Sequence, residues 1–266
     1  MTTNRRIVLQ STAASLASVA LSGWAQPGAA TTPLKLKAVG LFALLGDTVQ
    51  IAVSDAAPTD SRIERTNRDA MQFKGIGFDD IALRESLRWL RERHPVLPVQ
   101  MYKATAPVEP SMQQTIADGA VRGELPDWII KAIVDKQLDH VLLVTRSRGP
   151  IRVRSGQTAQ ESIGRGTVQG VGFYIDLLYK MQNETTGALS EGLLAPFAKI
   201  RLSLMDTNEA KVVRQYTIDD SWAHAAKDGA VVADPWTFMD NAEKVRVLRQ
   251  MVSDGFERAL PQVFKP

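Results

Sequence analysis

Leu125-Pro-Asp127-Trp128-Ile-Ile-Lys-Ala132-Ile133-Val-Asp-Lys136 leads through Gln137-Leu-Asp139 into His140-Val-Leu-Leu-Val-Thr145. Proline suits the first turn of a helix, and Trp128, Ile129, Ala132 and Ile133 recur at the spacing that builds one apolar face. The run that follows is continuously apolar and of strand length. A strand of that kind, entered straight from a helix, belongs in the middle of a sheet covered on both sides. The passage therefore predicts an α/β chain, with α+β as the alternative class: a mixed β-sheet with helices packed on it.

Upstream, Ala38 to Leu45 is apolar, Gly46-Asp47 reads as a turn, and Thr48 to Val53 alternates, so the pair predicts a hairpin. Asp55 to Asp69 is polar and reads as a solvated crossover. Asp79 or Asp80 is placed to cap a helix running to about Arg93, with Leu83, Leu87 and Leu90 on one stripe and Pro95 beyond it. Val99 to Tyr102 reads as a short strand and Pro110 to Arg122 as a weak helix.

Downstream, Ile151 and Val153 alternate with Arg152 and Arg154, and a glycine-rich stretch, Gly164 to Gly172, precedes the apolar Phe173 to Tyr179. Phe197 to Asp206 alternates, Thr207 to Ala210 turns, and Lys211 to Ile218 returns, which is the clearest hairpin signal in the chain. Asp240-Asn241 precedes a long C-terminal amphipathic helix with Val245, Leu248, Val252, Phe256 and Ala259 on one stripe. Gly255 within it costs about 1 kcal/mol against alanine, which a tertiary contact has to offset.

The N-terminus carries a different message. Arg5-Arg6 without any acid, a mildly apolar run to about Leu21, and Ser22-Gly23-Trp24-Ala25 with small residues at the inspected positions make a three-part export signal. Residues 1–25 are thus expected to be cleaved near Ala25. The paired arginines resemble a twin-arginine signal, though Val8 and Gln10 stand where that group has Phe and Lys, and an ordinary secretory signal fits as well. The apolar run of about 15 residues is shorter than the roughly 20 a membrane-crossing helix needs, and no later window is closer. The expected organisation is a signal (1–25), a linker (26–36) and a single α/β domain (37–266), secreted into the periplasm.

Removing Arg5 and Arg6 lowers the formal charge from +3 to +1, so generic attraction to nucleic acid has no basis. Cysteine is absent, which excludes disulfides, thiol catalysis, thiolate zinc sites and a lipid-bearing Cys. His94, His140 and His224 show no metal spacing, and neither G-x-S-x-G nor S-x-x-K occurs. The sequence accordingly names no catalytic residue, metal or cofactor.

The arginines Arg146, Arg148, Arg152, Arg154 and Arg165 gather at the end of the central strand, beside glycines able to offer backbone N–H groups. That is the position of crevices in α/β sheets and a chemistry that holds phosphate, carboxylate or acidic glycan. Against this stands the alternation of Arg152 and Arg154, which also fits a solvated edge that resists aggregation. Asp79-Asp80 and Asp219-Asp220 look like acid pairs but read as a helix cap and a strand end. Trp222, Trp236 and Phe238 offer stacking surfaces for sugars, or seal the edge of a core.

Lys37 to Leu45, Trp128 to Thr145 and Ala198-Lys-Ile-Arg-Leu-Ser-Leu-Met-Asp206-Thr-Asn-Glu-Ala-Lys-Val-Val213 together resemble exported proteobacterial proteins without an assigned function. More distantly they are similar to the α/β domain of CsgG-type and penicillin-binding-protein activator lipoproteins, which share a "strand, Asp-Thr, turn, strand" hairpin. The resemblance implies binding or envelope assembly with a partner protein or anionic ligand, and transfers no site residue. The rival expectation is an envelope hydrolase acting on an acidic or sugar substrate.

Overall fold

The structure, a computed structural model, describes residues 34–54, 67–72, 76–104, 108, 110–122, 125–155, 159–163, 166–182, 189–224 and 234–265. The signal reading, its cleavage site and most of the linker lie outside the described residues. Leu34–Lys265 group into one compact unit.

The elements run β1 (Val39–Ala43), β2 (Thr48–Ser54), β3 (Asn67–Gln72), α1 (Phe78–Arg93), β4 (Val99–Lys103), α2 (Pro110–Arg122), α3 (Asp127–Lys136) and β5 (His140–Arg146). Then come β6 (Arg148–Pro150), β7 (Val153–Ser155), β8 (Ala159–Ile163), β9 (Thr167–Gln182), β10 (Leu189–Asp206), β11 (Lys211–Ser221), a 3-10 turn (Pro235–Phe238) and α4 (Asn241–Val263). This is the expected α/β class: a mixed sheet with helices on it and a long C-terminal helix. Among the described residues no helix is long and apolar enough to cross a membrane.

The 18-residue strand β10 organises the sheet. Residues 197–199 pair with both β9 and β11, whereas 200–206 pair with both β5 and β11. Hence β9 and β5 lie end to end along one edge of β10, and β11 runs along the other. Beyond β5 come β1 and β4, all three parallel. Beyond β9 comes β2, parallel to it, and then β3, antiparallel to β2.

The expected β1–β2 hairpin is therefore corrected. The two strands follow one another in sequence but join opposite halves of the sheet. All five residues of β1 are buried, because parallel neighbours and helices enclose it on every side. Residues 67–69, expected in a solvated crossover, belong to β3, the true partner of β2. The β10–β11 hairpin, by contrast, stands where expected, with Thr207–Ala210 as its turn.

One face carries a single large core. Leu41, Leu142, Val144, Phe173, Ile200, Leu202 and Leu204 meet Ile81 and Leu90 of α1, and Leu248, Val252 and Phe256 of α4. Asp240 caps α4, its carboxylate accepting from the Glu243 N–H at 2.7 Å. A Cβ on Gly255 would stand 2.8 Å from Ile218 Cγ2, so this glycine lets α4 settle onto β11, the contact that offsets its helical cost.

The opposite face holds two smaller cores. Phe42, Val141, Leu143 and Met205 lie under α2 and α3, with Phe42 stacked on Tyr102 at 4.4 Å. Ile151 and Val153 cover Tyr174, Ala195 and Phe197 in the other half. Between these cores β10 carries Lys199, Arg201 and Ser203, a polar stretch on an otherwise apolar face.

Candidate functional site

The arginines of the sequence expectation separate at Ser147. Up to Arg146 the chain is β5, bonded to β10; the Ser147 N–H still donates to the Lys199 carbonyl at 2.9 Å. From Arg148 onward it is β6, bonded to β9. The chain thus wedges between β10 and β9, and the two halves of the sheet meet there.

Arg146 fills this seam from inside. It is 7% exposed, its Nε donates to the Leu45 carbonyl at 2.7 Å and its Nη2 to the Thr48 carbonyl at 2.9 Å. Both carbonyls belong to the segment joining β1 to β2, so one guanidinium ties the halves together. A Cβ on Gly170 would approach Arg146 Cδ to 2.7 Å, and Gly170 also has φ +74°, which explains a glycine there. From α2, Gln113 accepts the Arg146 backbone N–H at 2.8 Å.

Asp79 completes the seam and corrects a second expectation. Gly77 occupies the N-cap position of α1, and no side chain caps it. Asp79 instead accepts the N–H groups of Leu45, at 2.7 Å, and Gly46, at 3.1 Å. Burial pushes its carboxyl up to about 6, against the opposing pull of those two N–H groups; nearby Asp47 adds to the rise and Arg146 counters it. Asp80 points elsewhere and pairs with Lys103 at 2.9 Å.

Outside the seam the alternation expected at Ile151 and Val153 holds. Ile151 and Val153 are buried at 1% and 0%, while Arg148, Pro150 and Arg152 are exposed. The Arg148 guanidinium approaches Thr167 Oγ1 through Nε at 3.3 Å and Nη2 at 3.1 Å. The Arg152 carbonyl accepts from the Ser221 hydroxyl. The structure therefore brings Arg148 and Arg152 onto one solvent face and sends Arg146 into the core. The side chain of Arg154 and all of Arg165 lie outside the described residues.

Other polar residues converge where sequence reading did not place them. Lys199, 3% exposed, donates to Asp219 at 2.5 Å, and Arg201 lies 3.7 Å from Asp118 of α2. Asp220 pairs with Arg258 of α4. Asp219 and Asp220, adjacent in sequence, thus serve opposite faces of the sheet. The alternation of a strand, which sends adjacent residues to opposite faces, was the one available signal. Trp222 donates to His224 Nε2 at 2.6 Å, and burial lowers the His224 pKa. Trp236 packs edge-on against Phe173 at 5.4 Å with the Lys244 Nζ 3.9 Å above its ring, so it seals the core edge.

No family model matches the chain, and no curated protein matches it significantly. Among solved structures, a neuraminyllactose-binding hemagglutinin homolog from Helicobacter pylori aligns at 8% identity over 88% of this chain and 84% of that one, with a TM-score of 0.35. A Xanthomonas campestris protein of the DUF330 family aligns at 11% identity over 89% of each chain, with a TM-score of 0.26. Likeness at this level transfers neither ligand nor residue.

Proposed function

We propose that this chain is a non-enzymatic binding or envelope-assembly accessory protein of the periplasm, meeting an anionic partner through the outer face of β6 and the segment that follows. The observation that carries the reading is the exposure pattern over 148–153, which anchors Ile151 and Val153 in the core and leaves Arg148 and Arg152 exposed to solvent. Anchored backbone with free guanidiniums is a rigid presentation of charge, which favours carboxylate or phosphate groups on a partner. Arg154 and Arg165 stay in the proposal on their place in the sequence alone, and Arg146 leaves it. The periplasmic location rests on the signal pattern of residues 1–25, and the assembly role on the resemblance to exported α/β lipoprotein domains.

Replacing Arg148, Arg152 and Arg154 together by alanine is expected to weaken retention of the mature protein on an anionic matrix while its melting temperature stays put. Unchanged retention would remove this face from consideration. Sequencing the N-terminus of protein recovered from the periplasm tests the location, with a start near Gln26 expected.

A further inference from the structure

A second arginine cluster lies on the opposite face of the sheet, in a part of the chain that the proposed binding face does not reach. The helices α1 and α4 pack side by side, and between their outward surfaces runs a groove of about 410 Å³. Ile81 forms part of its floor, and Arg84, Arg246, Arg249, Gln250 and Ser253 line it. On α4, Arg246 and Arg249 are spaced i, i+3 and so occupy one side of the helix, facing Arg84 across the gap.

The protein itself engages these three guanidiniums weakly. Arg84 is 3.7 Å from Glu85 and Arg246 is 3.7 Å from Glu243, both beyond hydrogen-bond distance, with side chains 61% and 70% exposed. Arg249 is exposed and has no ion pair among the described residues. Other pairs meet more closely, as at Lys103–Asp80 (2.9 Å) and Lys199–Asp219 (2.5 Å), while Arg201–Asp118 is as loose at 3.7 Å.

Glu85 cannot neutralise the groove, because it is committed below the surface. It is buried, accepts the Ser253 hydroxyl at 3.1 Å, and is met by Arg88 at 2.5 Å. The groove lining itself carries three guanidiniums and no carboxylate, with Glu85, Glu243 and Asp254 beside it and Glu85 already met by Arg88. Like charges held together without close partners raise the local potential and attract an anion. Guanidinium forks match phosphate oxygens, whereas Gln250 and Ser253 already donate to Asp254 and Glu85 and so leave the arginines as the ligand's partners.

We propose that the α1–α4 groove is a binding site for a soluble ligand bearing two or more phosphate groups. Arg84 on α1 and Arg246 and Arg249 on α4 line both walls, and an oligophosphate offers charged oxygens to both at once. The charges line a concavity, so a flat anionic bilayer would meet only its rims.

The test is calorimetric titration of the mature protein with sodium tripolyphosphate, with a parallel sedimentation arm using phosphatidylcholine vesicles with and without phosphatidic acid. One-to-one binding of tripolyphosphate is expected, weakened at least about tenfold in R84A/R246A/R249A, since each lost charged hydrogen bond is worth about 1.5 kcal/mol or more. R148A/R152A, whose face also attracts anions, is titrated alongside: loss of the one-to-one site there, with the groove variants still binding, would overturn the proposal. Should the triple variant melt lower than the parent, R249Q alone carries the comparison, with a weaker but measurable loss. No binding by the parent protein, equal binding by the groove variants, or binding to acidic vesicles without binding to tripolyphosphate would each overturn the proposal.

Discussion

Arg146 and Arg148 stand two residues apart and carry the same charged group, yet they belong to different regions with opposite demands. Arg146 lies in the seam where β5 leaves β10, and every donor it spends there goes to backbone that joins the two halves of the sheet. Arg148 lies on the outer face of β6 and reaches only a threonine hydroxyl. One is built into the fold and the other stays exposed at the surface. The difference arises at Ser147, where the chain changes partners from β10 to β9. A cluster of like residues in sequence is therefore no guide to a cluster in space when a strand switches edges within it.

The contrast can be broken most directly at Arg146. Arg146→Ala would strand the Leu45 and Thr48 carbonyls and leave Asp79 without its nearby cation. We expect a loss of more than about 3 kcal/mol in urea unfolding, with Arg146→Lys recovering little because an ammonium does not reproduce the fork. A loss below about 1 kcal/mol would show that the seam closes without it.

A pH series on Asp79→Asn sharpens the comparison next. Burial holds the folded carboxyl at about 6 against 3.8, so the native state keeps a proton that the unfolded chain has released between those values. The stability this proton contributes is complete below about 3.8 and is lost as pH rises through about 6. The advantage of the parent protein over Asp79→Asn should shrink from acid to neutral pH, by at most on the order of 3 kcal/mol. A difference independent of pH would mean that the two N–H groups and Arg146 balance burial, and one that grew with pH that they outweigh it.

The smallest effect is expected at Arg148→Ala. Its side chain is exposed, so urea midpoints should move by no more than about 0.5 kcal/mol. A larger change would make the β6 face structural and merge the two regions.

How much of this was legible beforehand depended on whether the deciding contact was local. The β10–β11 hairpin was readable because alternation and the turn at Thr207–Ala210 lie within one stretch. The buried strand His140 to Thr145 was readable from its unbroken apolar run. The β1–β2 hairpin misled because a Gly-Asp turn signals a change of direction and not which strands will pair. Asp79 misled similarly, since its capping position was outcompeted by N–H groups 33 and 34 residues away. The burial of Arg146 rests on carbonyls about a hundred residues upstream, beyond the reach of any spacing rule. The α1–α4 groove was half legible: the surface arginines of α1 were plain, but its partner helix is some 160 residues on.

The pairing of β2 with β9 sets an order in time as well as in space. Gln50 meets Gly172, and Ile51 meets Phe173, so the second half of the sheet stays open until much of the chain has left the ribosome. The half built on β1, β4 and β5 closes sooner, its three strands all lying before Ser147. Pairings this distant slow folding, because a long loop must close before any bond repays it. Until residues 172–176 reach it, the edge of β2 that pairs with β9 has no strand to bond to.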